Sequence, residues 1–102
     1  MIYNIIHSYL FDLDLIEIIE YYLGCDYSSY AKKIYRIIED RKSKIMVFPR
    51  MFEIYESKGN IEYRRFIVDR KFVVIYHVDD ENETIYLLKM YSTKSNYLNY
   101  FK

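Results

Sequence analysis

Residues 63–94 read YRRFIVDRKFVVIYHVDDENETIYLLKMYSTK, and this stretch decides the fold. Three runs rich in β-branched and aromatic residues, 63–68, 72–78 and 84–91, are separated by Asp69-Arg70-Lys71 and by the polar segment 79–83. Runs bounded in this way predict a three-stranded meander. Arg64 and Arg65 stand at its start, and Tyr91, Ser92 and Lys94 at its exit. Side chains alternate between the faces of a strand, so Val73, Ile75 and His77 share one face of the second run, and Phe72, Val74, Tyr76 and Val78 the other. Both faces are mostly apolar, so one packs on helices and the other needs a cover of its own.

Upstream, residues 1–7 (MIYNIIH) suit a first strand, and Ser8 suits the N-cap of a helix over 9–23. Phe11, Leu15, Ile18, Ile19 and Tyr22 recur at helical spacing and form one apolar stripe, leaving Asp14, Glu17 and Glu20 on the other side as solvated acids. No histidine or backbone turn completes a ligand shell around these acids, so no metal is expected. Gly24 is placed to close the helix, and Ser28 or Ser29 to cap the next one. In that second helix Ala31, Ile34, Ile38 and Ile45 share a face, and Arg41 and Lys42, which interrupt it, must reach water or find partners. Phe48-Pro49 ends it, because the residue before proline is pushed out of the helical region. Residues 50–61 lead to the sheet through a turn at Gly59-Asn60, and 95–102 form a short helix or tail. The expected order is β-α-α-β-β-β: an α+β fold in which a helical hairpin packs on a small, mainly antiparallel sheet.

At 102 residues and 52% hydrophobic content the chain is expected to form a single domain over residues 1–102. It carries no charged segment followed by an apolar signal-like run and no 18-residue apolar stretch, so a soluble, cytoplasmic protein is expected, without membrane contact. The lone Cys25 fits a reducing compartment. Net charge is zero but unevenly spread: residues 1–31 hold −5, 32–71 hold +6 and 72–102 hold −1, so the middle of the chain is electropositive. No Gly-rich phosphate loop, HExxH, CxxC or GxSxG motif occurs, and no cofactor is expected.

Ser8, Asp14-Leu15, Ile18 and Tyr21, then Ala31 with spaced apolar residues ending in Phe48-Pro49, then Tyr63-Arg64-Arg65-Phe66-Ile67-Val68, Phe72 to Asp79, and Ile85 to Ser92 follow one another in a particular order. In that order they resemble the RelE/ParE superfamily of type II toxin–antitoxin toxins, from Tyr3 to about Tyr97. The resemblance implies a toxin held inactive by a cognate antitoxin, with one of two actions. RelE-like members cut mRNA on the ribosome by promoting attack of a ribose 2′-hydroxyl on the adjacent phosphate; ParE-like members act on DNA gyrase without RNA chemistry.

Carried over residue by residue, Arg64 falls where RelE-like nucleases place the first lysine of their central strand. Lys94 falls near their C-terminal arginine, and Tyr97 or Tyr100 near their C-terminal tyrosine. His77, on the same parity as the open face, is the candidate for proton transfer. Arg65, Lys89 and Tyr91 are the candidate contacts to RNA or another target. Arg64 and Arg65 point to opposite faces, so the one not used at a site pairs with an acid such as Glu17 or Glu20. The second central lysine position is Phe66, and the arginine expected on the next strand is Val73. Phe66, Val73 and Ile75 therefore suggest an apolar groove filled by an antitoxin segment. A ParE-like, gyrase-directed toxin is the first expectation; a RelE-like mRNA endoribonuclease and an inactive, toxin-fold binding or autoregulatory module are the alternatives.

Overall fold

The computed structural model describes residues 2–94. Its elements are β1 (Asn4–His7), α1 (Tyr9–Gly24), α2 (Ser28–Val47), β2 (Ile54–Lys58), β3 (Ile61–Val68), β4 (Phe72–Asp79) and β5 (Thr84–Ser92). The five strands form one sheet in the order β1-β5-β4-β3-β2, with β1 parallel to β5 and the other neighbours antiparallel. The meander expected from residues 63–91 is β3, β4 and β5. It has one strand more than foreseen: Ile54–Lys58, assigned to a connection, pairs with β3 through the turn at Gly59, whose φ of 61° suits glycine. This edge strand is mostly exposed, so its sequence shows little apolar alternation. The helix or tail expected at 95–102 lies outside the described residues.

One face of the sheet makes the core. Phe66, Val68, Phe72, Val74, Tyr76, Val78, Ile85, Leu87 and Met90 pack against Phe11 and Leu15 of α1 and Ile34, Ile38 and Ile45 of α2, as the two apolar stripes require. Ile18, Ile19 and Tyr22 complete the α1 stripe at its margin. Arg41 and Lys42 of α2 find partners in Asp40 (2.8 Å) and Glu39 (3.2 Å), so the apolar face is kept.

Both helix junctions use other residues than expected. Gly24 is still helical, and the left-handed residue that ends α1 is Asp26, at φ 61°. Tyr27 N donates to Tyr22 O (2.8 Å) and Asp26 N to Leu23 O (3.2 Å), the paired bonds of a Schellman ending. Asp26 tolerates this region because its short polar side chain suits it better than most. The chain re-enters a helix almost at once, so Tyr27 rather than a serine occupies the N-cap of α2, and no side-chain bond caps it.

The junction of β1, α1 and β5 carries the most polar bonds. β1 is four residues long and ends at His7 opposite Leu87, leaving the rest of β5 without a strand on that side. Ser8 N donates to Leu87 O (2.9 Å), and Ser8 Oγ donates to Leu88 O (2.7 Å) while accepting from Phe11 N (3.0 Å). Further along, Met90 N donates to Asp14 Oδ2 (3.0 Å), and Lys89 Nζ reaches the same carboxylate at 3.0 Å. Asp14 is thus not a solvated acid: side chains of α1 take the edge groups of β5 that β1 is too short to reach. Its partners lie more than seventy residues away, which helical spacing alone does not reveal.

At the other end of β1, Tyr3 N donates to Met46 O, and the Tyr3 hydroxyl donates to Asp80 Oδ1 (2.7 Å). Arg50 holds the same carboxylate with two bonds, of 2.7 and 3.0 Å. The Arg50 guanidinium first, and the Tyr3 hydroxyl second, keep Asp80 below its ordinary 3.8.

Replacing Ser8 by alanine removes an N-cap and leaves Leu88 O without its donor, and is expected to destabilise the fold by about 1–2 kcal/mol in chemical denaturation. Asp80 contributes stability that is present above the unfolded carboxylate pKa and lost as pH falls through its depressed value, because the unfolded chain then binds more protons. Asp80→Asn is therefore expected to flatten the fall in stability as pH drops below about 4 and to lower stability at neutral pH, as read from denaturation curves at neutral and acid pH.

Candidate functional site

The connection from α2 to β2 is fixed by two side chains of the sheet. Arg64 lies opposite Tyr76 on the core-facing side. Its guanidinium donates to Phe52 O (2.8 Å) and Arg50 O (3.4 Å) and lies 3.5 Å from Glu62, with only 12% of the side chain exposed. The Tyr76 hydroxyl donates to Pro49 O (2.9 Å), and burial pushes its pKa up to about 12. Two charged or polar groups therefore satisfy three carbonyls of a loop that proline and its neighbours keep out of regular structure. Arg65, one residue on, points to the opposite face and pairs with Glu53 through Nε and Nη2, both at 2.8 Å. The expected pairing of either arginine with Glu17 or Glu20 is not made. Glu62 and Glu53 are closer, because β2 and its preceding loop run beside β3.

The face turned away from the helices carries cross-strand rows set by the register. Tyr63, His77 and Tyr86 lie side by side on β3, β4 and β5. The His77 ring is stacked with Tyr86 at 6.4 Å and 14° and tilted against Tyr63 at 6.3 Å, and Nδ1 lies 3.4 Å from Glu62 O. In the next row Ile75 stands between Arg65 and Lys89, and in the third Val73 stands between Ile67 and Tyr91. Val73 and Ile75 are fully buried. Phe66 pairs with Val74 and belongs to the opposite, core face, against Phe52 and Tyr76. Phe66, Val73 and Ile75 therefore do not line one open groove: the first is core, and the other two have no accessible surface.

Lys89 and Tyr91 are brought together, with the ammonium 5.1 Å from the ring centroid, but Lys89 is also bound to Asp14. Lys94 lies beyond the end of β5 and borders a cleft of about 240 Å³ with Tyr22, Arg70, Lys71, Phe72, Ser92 and Thr93. Phe72 and His77 are at opposite ends of β4, roughly 17 Å apart at strand spacing. Arg64, His77 and Lys94 thus occupy the core face, the outer face and the far end of the sheet, and the structure does not converge them. Tyr97 and Tyr100 lie outside the described residues. His7 pairs with Asp12 (2.9 Å) and stacks edge-on against Phe11 at the start of α1. Among the described residues, no group of three or more His, Cys, Asp or Glu side chains is placed to hold a metal ion. Among the described residues, no helix is long and apolar enough to cross a membrane.

Two surface features went unread in the sequence. Arg70 and Lys71 serve there only as a break between strands, yet the hairpin turn brings them beside Lys94. The outer side of the helical hairpin bears an apolar groove of about 550 Å³, where Ile19 and Leu23 of α1 meet Ala31 and Tyr35 of α2, with Lys32 and Arg36 at its rim. Its signal is that α1 is apolar beyond one stripe: Leu10, Leu13, Ile16 and Leu23 are all at least 43% exposed.

A search of curated proteins returned no match. Among solved structures, the chain is similar to the RelB–RelE complex of the archaeon Pyrococcus horikoshii, at 18% identity and a TM-score of 0.60 over 93% of this chain and 100% of that one. It is also similar to the RelBE2 toxin–antitoxin complex of Mycobacterium tuberculosis, at 15% identity and a TM-score of 0.58 over 90% and 99%. A metal-bound toxin from Helicobacter pylori matches at 17% identity and a TM-score of 0.56 over 89% and 94%. At these identities the likeness is one of fold. The family model for the ParE toxin of the type II toxin–antitoxin system parDE matches residues 5–97, nearly the whole chain. The chain therefore belongs to the ParE toxin family of type II toxin–antitoxin systems.

Proposed function

We propose that the protein is a ParE-like toxin that acts on DNA gyrase without cutting RNA and is neutralised by a cognate antitoxin. The observation that carries this reading is the engagement of Arg64. RNA cleavage by 2′-hydroxyl attack needs cations around one phosphate and an acid–base pair beside it. Arg64 is instead tied to the loop carbonyls of Arg50 and Phe52 and to Glu62. The positions where a RelE-like nuclease carries further cations hold Phe66, which is core, and Val73, which is buried. Lys94 is at the far end of the sheet from His77. The match of the ParE family model over residues 5–97 supports the same reading.

Expression in a bacterial host is expected to arrest growth and to accumulate gyrase-linked DNA breaks while primer extension finds translated mRNA intact. Codon-dependent mRNA cleavage would sink the gyrase-directed reading, and harmless expression of the folded chain would point to an inactive binding module.

The similar structures solved as complexes with RelB-type partners support neutralisation by direct binding. The apolar groove between α1 and α2 offers such a partner a surface to bury, and its charged lining, Lys32 and Arg36 against the single acid Glu39, favours an acidic, amphipathic segment. Leu23→Glu is expected to leave growth arrest intact and to weaken rescue by the antitoxin at least about tenfold in affinity, measured by calorimetry with the purified pair. Unchanged affinity in that variant would place the antitoxin elsewhere.

A further inference from the structure

The cleft beyond the end of β5 has the chemistry of an anion site. Its base is the turn between β3 and β4. Asp69 and Arg70 both have positive φ, 51° and 60°, and Lys71 N donates to Val68 O (3.1 Å), the pattern of a type I′ turn. Asparagine and glycine favour those two positions; a long side chain such as arginine is rarely held there, and the strain must be balanced by its surroundings. The surroundings are rigid. Thr93 N donates to Lys71 O (2.8 Å), and Thr93 Oγ1 lies 3.2 Å from both Arg70 O and Lys71 O, so the turn is bolted to the end of β5.

This bracing presents three cations, Arg70, Lys71 and Lys94, around a cleft with Tyr22 and Phe72 at its apolar side. Among the described residues neither Arg70 nor Lys94 has an acidic partner, and Lys71 stands over the Tyr30 ring at 4.8 Å. The nearest acid on the turn, Asp69, faces α2, where the Tyr30 hydroxyl (2.7 Å) and Lys33 (3.3 Å) hold it. Glu17 borders a neighbouring hollow that shares Tyr22 and Phe72 with the cleft. At about 240 Å³ the cleft is smaller than the roughly 300–1,000 Å³ of pockets for drug-sized ligands, which suits one small anionic group. Three cations lining one cleft exceed what a single carboxylate needs and match the several oxygens of a phosphate, with Arg70 able to form a paired bond.

We propose that Arg70, Lys71 and Lys94 form a binding site for a phosphate group, separate from the His77 face and independent of which cellular target the toxin attacks. The phosphate is carried either by a nucleic-acid strand or by a small phosphorylated molecule.

The test uses the full-length, isotope-labelled protein titrated with inorganic phosphate, AMP and a single-stranded oligonucleotide, with chloride at matched ionic strength as control. Phosphate is expected to shift the amide signals of Lys71, Thr93 and Lys94 saturably, where chloride does not. Arg70→Gly, which also relieves the positive φ, is expected to keep or raise thermal stability yet lower phosphate affinity about tenfold. The Lys32→Gln/Arg36→Gln pair, on the hairpin groove, retains wild-type affinity. If the strand binds more tightly than AMP, and Arg70→Gly lowers the slope of log K against log salt by roughly one, the phosphate belongs to nucleic acid. Equal binding of AMP and strand assigns it to a small ligand. Shifts that grow linearly and match those of chloride, or wild-type affinity in an Arg70→Gly/Lys94→Gln variant, would overturn the site.

Discussion

The parallel pairing of β1 with β5 is the constraint on which the rest of the structure depends. β1 reaches only as far as Leu87, yet β5 runs on to Ser92, so a buried region of sheet would end in unpaired edge groups. α1 resolves this by starting directly at that point. Ser8 bonds both β5 and the first turn of its own helix, and Asp14 reaches Met90 N and Lys89 two turns later. These bonds set the direction of α1 across the sheet. The direction in turn decides which stripe of α1 faces the core, and where its second, exposed apolar surface meets α2 to form the outer groove.

A second consequence of the same economy is the use of cations as fasteners. Arg64, Arg65, Arg50 and Lys89 all hold loops or edges through carbonyls and carboxylates. A sheet of this shape supports more than one chemistry, and the fold alone does not select among them. What the charged residues are already bonded to differs from one site to another. Among the described residues, cations without an acidic partner include Arg70 at the β3–β4 turn, Lys94 beyond β5, and Lys32 and Arg36 on α2.

Much of this was legible in the sequence, for reasons that can be named. Period-two alternation in residues 72–78 assigned each side chain of β4 to a face, and the helical spacing of Phe11 and Leu15, and of Ala31, Ile34, Ile38 and Ile45, assigned both helices to one core. Local rules failed where the decisive partner was distant or the choice was close. Asp14 looked solvated because Met90 is 76 residues away. Gly24 looked like the end of α1, but the Schellman bonds fall two residues later and put Asp26 in the left-handed position. Phe66 looked like part of an apolar groove with Val73 and Ile75 until the register with β4 set it opposite Val74. The candidate site was less legible than the fold: Arg64 and His77 were each placed on the right strand, but convergence in space is a property of register, and Arg64, His77 and Lys94 do not converge.

The closing pair also orders the events of folding. β2 to β5 are sequential neighbours joined by tight turns, so the meander forms from local contacts, whereas Ser8 and Leu88 meet across 80 residues. β1 therefore waits on the ribosome until β5 has been made. At about 5–20 residues per second, that wait lasts several seconds of synthesis. A chain released before β5 has nothing to seat β1 or to orient α1, so premature termination yields fragments without the toxin's surfaces.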